Sequence, residues 1–221
     1  SKHIHIGGDE APKEQWRKSR VAQAVIEREG LAGEKDLQSY FIRRIGDFLN
    51  EHGRTLIGWD EILEGGLPPG ATVMSWRGTA GGIEAAHQGQ NAIMTPTDAL
   101  YFDYYQGDPD SEPLAIGGMT TLRDVYGYDP VPDSLGTEAV RHIVGAQANV
   151  WTEYIHTPEK VEYMAYPRAL ALSEIVWTPE TDHEWGHFRA RLPAHLRRLD
   201  ALDVDYRVPE AVRSGDVAKE F

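Results

Sequence analysis

Polar and apolar residues alternate at the start of the chain. His3, Ile4, His5 and Ile6 carry the period-two pattern of a strand. Gly7 and Gly8 end it, and Asp9 and Glu10 then stand at a strand's C-terminal end. Residues 11–29 are polar and helix-permissive, with Gly30 as the stop. Over 35–52 the period changes: Leu37, Tyr40, Phe41, Ile45, Phe48 and Leu49 fall at three- and four-residue spacing, and Gly53 ends the helix. A buried strand is predicted from Thr55 to Trp59, running into Asp60 and Glu61, and a third over 72–76, running into Arg77. A short helix over 81–88 leads to a strand at Asn91–Met94. Pro96, Thr97 and Asp98 then turn the chain into a further extended piece at 100–103.

The stretch 107–121 is rich in Gly, Pro and Asp and reads as a long, functional loop. A helix begins at Leu122, and the last strand is predicted over 143–151. A helix over 159–176 must be interrupted or kinked by Pro167. The pattern over 187–202 is amphipathic, with Phe188, Leu192, Leu196 and Leu199 in line despite Pro193. Strands alternating with helices imply a parallel sheet with crossover connections. About five such units fit here, whereas a full (β/α)8 barrel takes about 250 residues. The expected fold is therefore α/β, a (β/α)8 barrel of which residues 1–221 form the C-terminal portion.

The strand ends share a chemistry. They read Asp9-Glu10, Trp59-Asp60-Glu61, Trp76-Arg77, Tyr101-Phe102-Asp103 and Trp151-Thr152-Glu153. In a parallel barrel these residues converge on one rim. Indoles over carboxylates suit a sugar ring, whose C–H bonds pack on aromatic faces while its hydroxyls donate to carboxylates. Glu153 shares a strand face with Trp151 if both lie on a strand. The competing expectation is structural. Asp9-Glu10 and Asp60-Glu61 could open the following helices, and any one Trp could be core. Trp16, Trp177 and Trp185 fall outside the strand ends and are expected to serve packing.

Composition narrows the classes. Hydrophobic content is 41% and charged content 26%, ordinary for a globular chain. The net charge is −13 with no basic stripe, which argues against nucleic acid and anionic membranes as partners. No apolar run is long enough to span a bilayer. The absence of cysteine removes disulfides, thiolate metal sites and cysteine nucleophiles. The first residues carry no signal-like apolar region and are already strand-like, as expected of a piece of a longer protein. His3, His5 and Asp9 could form a metal site, but no third histidine follows at a strand end, so structural histidines are the expectation. Ser75 lacks the glycine-flanked elbow of a serine hydrolase.

His5-Ile6-Gly7-Gly8-Asp9-Glu10 resembles the signature of family-twenty glycoside hydrolases, the β-N-acetylhexosaminidases. The resemblance continues in order through Gly58-Trp59-Asp60-Glu61, Ser75-Trp76-Arg77-Gly78, Tyr101-Phe102-Asp103 and Val150-Trp151-Thr152-Glu153. It extends into Tyr163-Met164-Ala165-Tyr166-Pro167-Arg168 and Ala171-Leu172-Ser173-Glu174. It implies a (β/α)8 barrel in which residues 3–10 hold the fourth strand and this chain supplies strands four to eight.

By that resemblance the enzyme is retaining and exo-acting. It removes terminal N-acetylglucosamine or N-acetylgalactosamine from oligosaccharides or glycoconjugates, with no metal or organic cofactor. The substrate's own 2-acetamido oxygen is the nucleophile. Glu10 is then the general acid and base, Asp9 orients the acetamido group, and Tyr101 binds its oxygen. Trp59, Trp76 and Trp151 wall the pocket, and Asp103 and Glu153 take distal hydroxyls. Gly7 and Gly8 are expected to make room for the acetamido group.

Overall fold

The computed structural model of the chain describes residues 1–210. The strands are β1 (His3–His5), β2 (Thr55–Trp59), β3 (Thr72–Ser75), β4 (Asn91–Met94) and β5 (Ile143–Ala146). The helices are α1 (Glu14–Lys18), α2 (Arg20–Glu29), α3 (Glu34–Glu51), α4 (Ala80–His87), α5 (Thr97–Leu100), α6 (Leu122–Tyr126), α7 (Thr137–Val140), α8 (Pro158–Ala165), α9 (Arg168–Trp177) and α10 (Trp185–Ala201). The chain divides into two compact units. One comprises Ser1–Met94 with Val131–Gly145, the other Thr95–Pro130 with the residues from Ala146 onward.

In the first unit the sheet order is β1-β2-β3-β4-β5, the order of the sequence. The β1/β2, β2/β3 and β3/β4 pairs are parallel, as the strand–helix alternation predicts. The side chains that follow β1, β2 and β3 therefore emerge at the same edge of the sheet. Helix α3 packs on β2, and its buried residues are Gln38, Ser39, Ile42, Gly46 and Leu49. Gly46 lets the loop after β2 come close, since a Cβ there would lie 2.6 Å from Pro68. Phe41 and Phe48, expected in the apolar stripe, are exposed. They lie seven residues apart and share a face with each other, but that face is not the one turned to β2. The single helix expected over 11–29 is two. Ser19 leaves α1 in an extended conformation, and its side chain accepts from the backbone N–H of Ala22 to cap α2.

The second unit is built on helices. Leu100, Phe102, Val125, Tyr126, Ile175, Phe188 and Leu192 are central to its core. Phe188, Leu192, Leu196 and Leu199 of α10 are all buried, as their spacing predicts, and Pro193 is accommodated inside the helix. Each such side chain contributes about 1.5–3 kcal/mol by leaving water. Pro167 separates α8 from α9 at a cis peptide bond with Tyr166.

Three expectations fail here. Pro96, Thr97 and Asp98 turn the chain as expected, but the extended piece expected over 100–103 is not a strand, since Leu100 ends the short helix α5. Tyr101 keeps only an isolated parallel bridge to Asn149. The last strand ends at Ala146, so Trp151 and Glu153 lie on no strand, and the shared-face argument for them does not hold. Trp177, expected to pack, is exposed at the end of α9.

Candidate active site

The turn after β1 brings two carboxylates to the sheet edge. Gly7 and Gly8 have positive φ angles of 74° and 101°, which side-chain-bearing residues rarely adopt. At Gly8 the space a side chain would need is taken by Ile62. A Cβ at Gly8 would lie 2.7 Å from the Ile62 side chain, and one at Gly7 would meet Asp9 Oδ1 at 3.4 Å. The glycines admit Ile62 and let the turn close over it. The Gly7 carbonyl accepts from Trp59 N–H at 2.9 Å, and the Gly8 carbonyl from Gln38 Nε2 at 2.8 Å. Lys13 Nζ in turn donates to Gln38 Oε1 and to the Ala11 carbonyl.

Glu10 then sits at φ 43°, in the left-handed region. A non-glycine residue held there is uncommon, and such strain concentrates at functional sites. Neither Asp9 nor Glu10 opens a helix, because α1 begins at Glu14 with Lys13 at its cap position. Glu10 borders an open depression of about 300 Å³, lined also by Lys13, Gln38, Glu61, Glu64 and Arg77.

His5 and Asp9 are electrostatic neighbours. Burial lowers the His5 pKa, and the Asp9 charge pulls it back up. Gly7 N–H donates to His5 Nδ1 at 3.0 Å, so that nitrogen is the unprotonated one. The His5 ring meets Trp59 edge-on, with centroids 5.0 Å apart. His3 is exposed. Among the described residues no three His, Cys, Asp or Glu side chains are grouped to hold a metal ion.

Asp60 and Glu61 open a short 3-10 helix, Asp60–Leu63, as expected, but their side chains are held by other groups rather than left free for a ligand. Asp60 Oδ2 accepts from the backbone N–H groups of Trp76 and Arg77 at 3.1 and 3.2 Å, and its Oδ1 from Arg77 Nε at 2.6 Å. Glu61 Oε2 accepts from the Trp76 indole at 3.0 Å. Burial pushes the Glu61 carboxyl up, and the Trp76 and Arg77 donors oppose it. The acidic end of β2 thus fixes the end of β3 and the orientation of the Trp76 ring. Trp59 is buried and Trp76 half-buried.

The second unit holds the remaining expected residues. Phe102 N–H donates to the Asn149 carbonyl at 2.7 Å and Asn149 N–H to the Leu100 carbonyl at 2.9 Å, which aligns Tyr101 with the stretch leading to Trp151. The Tyr101 and Trp151 rings lie 6.4 Å apart, and Trp151 is 40% exposed. Burial pushes the Tyr101 phenol up, opposed by hydrogen bonding to Trp151, Asn149 and Thr97. It is therefore a protonated donor at neutral pH. Asp103 is buried, and its Oδ1 has no hydrogen-bond partner. Burial raises its pKa, and the charge of exposed Glu153 adds to the rise, so the two carboxylates are electrostatic neighbours.

Sequence reasoning missed several positioning side chains. Gln38 had a visible signal, a polar residue on the buried face of an amphipathic helix. Arg168 had none. It is fully buried, and its guanidinium donates to four backbone carbonyls scattered from Phe102 to Met164.

The family model of the glycosyl hydrolase family 20 catalytic domain matches residues 1–180. The chain is 50% identical over 208 residues to a β-hexosaminidase of Porphyromonas gingivalis, covering 94% of this chain and 27% of that protein. It is 34% identical over 197 residues to a β-hexosaminidase of Akkermansia muciniphila, covering 87% of this chain and 39% of that one. Among solved structures, a family 20 exo-β-N-acetylglucosaminidase from Vibrio harveyi in complex with N-acetylglucosamine matches with a TM-score of 0.86 at 31% identity. That match covers 95% of this chain and 33% of the other. A Streptomyces plicatus N-acetyl-β-hexosaminidase matches with a TM-score of 0.76 at 27% identity, covering 95% and 39%. The chain thus spans between 27% and 39% of the curated relatives compared here. Likeness of sequence and of backbone agree with the order of the strand-end motifs, and the chain belongs to glycosyl hydrolase family 20, with the (β/α)8-barrel class of that family.

Proposed function

We propose that this chain is the C-terminal portion of the catalytic barrel of a retaining, exo-acting β-N-acetylhexosaminidase. It removes terminal N-acetylglucosamine or N-acetylgalactosamine from oligosaccharides or glycoconjugates. The observation that carries the proposal is the Asp9–Glu10 corner. Adjacent carboxylates are poorly suited to be the acid and the nucleophile on either side of one bond, which ordinary retaining enzymes hold about 5 Å apart. They suit a substrate that supplies its own nucleophile.

In the first step the 2-acetamido oxygen attacks the anomeric carbon. The glycosidic C–O bond breaks, and its oxygen leaves with the Glu10 proton. Asp9 accepts the acetamido N–H and stabilises the positive charge of the cyclic oxazolinium-type intermediate. In the second step Glu10 takes a proton from water, which opens the ring at the anomeric carbon with net retention. Tethering the nucleophile contributes a proximity gain. Tyr101 donates to the acetamido oxygen, Trp59, Trp76 and Trp151 contact the acetamido group and ring, and Asp103 and Glu153 take hydroxyls. Support comes from the family relationship, the left-handed Glu10 backbone, the protonated Tyr101 phenol and the unpartnered Asp103 oxygen.

The test is chromophore release by the protein carrying this chain from paired aryl N-acetylglucosaminide and N-acetylgalactosaminide substrates. Release from either, with none from the aryl glucoside lacking the acetamido group, is expected. Equal release from the glucoside would overturn the mechanism, and binding of the sugar without release would make the protein a lectin.

A further inference from the structure

The stretch 107–121 has the composition of a mobile loop, yet it is fastened at its ends and its middle. At the ends, the buried Arg168 guanidinium holds it. Nη1 donates to the carbonyls of Tyr104 at 3.1 Å and Thr120 at 2.8 Å, and Nη2 to those of Phe102 and Met164, both at 2.6 Å. The Phe102 and Tyr104 carbonyls flank Asp103. Thr120 N–H closes the loop on the Tyr105 carbonyl at 2.9 Å. Gly118, at φ 61°, lies against the Tyr104 ring, where a Cβ would come within 2.3 Å.

In the middle, Glu112 is buried in an ion pair. Its Oε1 accepts from Arg207 Nε, and its Oε2 from the Tyr163 hydroxyl at 2.7 Å. The side chains of Arg207 and Glu112 are 9% and 4% exposed. Arg207 is itself fixed, since its N–H donates to the Tyr166 carbonyl at 3.1 Å. Gly107 is where the guanidinium needs a bare backbone, because a Cβ would lie 2.3 Å from Arg207 Nη2. Burying two charges is costly, and apolar residues of similar volume serve stability as well or better. What a bidentate acceptor with fixed donors adds is a defined position. The group that needs one is Asp103, which lies between the two carbonyls held by Arg168 and keeps a buried oxygen without a partner.

We propose that Glu112 and Arg207 are positioning residues for sugar recognition, acting through the segment 102–120 on Asp103. The proposal rests on the functional reading above, in which Asp103 takes a sugar hydroxyl. Leu114, Ile116 and Met119, exposed on the same loop, are carried by the clamp as a fixed surface rather than a lid.

The test is a cycle of Glu112→Gln, Asp103→Asn and the double variant in the protein carrying this chain, with kcat and KM measured on an aryl N-acetylglucosaminide. Glu112→Gln alone is expected to lower kcat/KM about tenfold, the scale of a displaced contact, with most of the change in KM. In the Asp103→Asn background the same substitution should change kcat/KM by no more than about twofold, because its target is gone. Equal losses in both backgrounds, or no loss in either, overturn the positioning role. Should Glu112→Gln fail to fold, Tyr163→Phe removes one donor to the same carboxylate and runs the same cycle. Absence of hydrolysis by the unmodified protein is the separate outcome that overturns the functional reading, and this inference with it.

Discussion

Asp9 and Glu10 in the first unit and Asp103 in the second are held in opposite ways. In the first, Asp9 and Glu10 are exposed at the end of β1, on a turn whose backbone is left-handed at Gly7, Gly8 and Glu10. In the second, Asp103 is buried, its flanking carbonyls are gripped by Arg168, and one carboxylate oxygen has no partner. The difference matches two jobs. A group that gives and takes a proton needs access to substrate and water, and its cost is local backbone strain. A group that recognises a hydroxyl gains from being desolvated and immobile, and its cost is an unsatisfied charge when no ligand is bound.

The largest expected effect falls on the exposed corner. Glu10→Gln should reduce kcat about 10²- to 10⁴-fold for substrates with poor leaving groups, the usual contribution of general acid–base catalysis. Binding should be largely retained, since the amide keeps shape. Turnover close to normal would mean that the comparison assigns the chemistry to the wrong unit.

A smaller effect separates chemistry from scaffolding within the first unit. Asp60 follows β2 as Asp9 follows β1, but it is buried under the N–H groups of Trp76 and Arg77 and the Arg77 guanidinium. Asp60→Ala should cost about 3 kcal/mol of stability, as removal of one partner of a buried, charged network does. Denaturant unfolding measures it. A loss of turnover with no change in stability would place Asp60 among the reacting groups instead.

The smallest effect sharpens the account of the buried carboxylate. Burial raises the folded-state pKa of Asp103, so the folded chain binds that proton more tightly than the unfolded chain does. Stability therefore falls as pH rises from the ordinary carboxyl value through the raised one. Asp103→Asn removes that fall. The variant should be more stable at neutral pH by about 1 kcal/mol, the order of one unsatisfied buried oxygen, while binding sugar more weakly. Thermal unfolding at a series of pH values checks this, and the difference should vanish below the ordinary carboxyl range. A variant less stable at neutral pH would show that Asp103 contributes to the scaffold.

Much of this was legible in the sequence because strand periodicity and strand-end residues lie close together along the chain. The run from His3 to Glu10 and the pattern of α10 needed only local rules. Residues whose partners are remote were not legible. That Asp60 and Glu61 open a short helix was legible, but their side-chain partners, Trp76 and Arg77, come fifteen to seventeen residues later, out of reach of local rules. Arg168 bonds to carbonyls, which every residue carries, so no side-chain motif announces it. Residues 100–103 read as extended because the helical turn begun after Pro96 runs on to Leu100, which a run of apolar residues does not reveal. The glycines before Asp9 illustrate a subtler case. Their backbone need was readable, but only the fold shows that Ile62 fills the space beside Gly8.

Asp9 and Glu10 are proposed to act on a nucleophile brought by the substrate. The most direct measurement is the inhibition constant of a thiazoline analogue of the cyclised intermediate, compared with that of N-acetylglucosamine, for the unmodified protein and for Asp9→Asn. The thiazoline is expected to bind at least about 100-fold more tightly than the sugar, as intermediate analogues do, and Asp9→Asn to remove most of that advantage. A thiazoline that binds no better than the sugar, or equally well with and without the Asp9 carboxylate, would contradict the proposal.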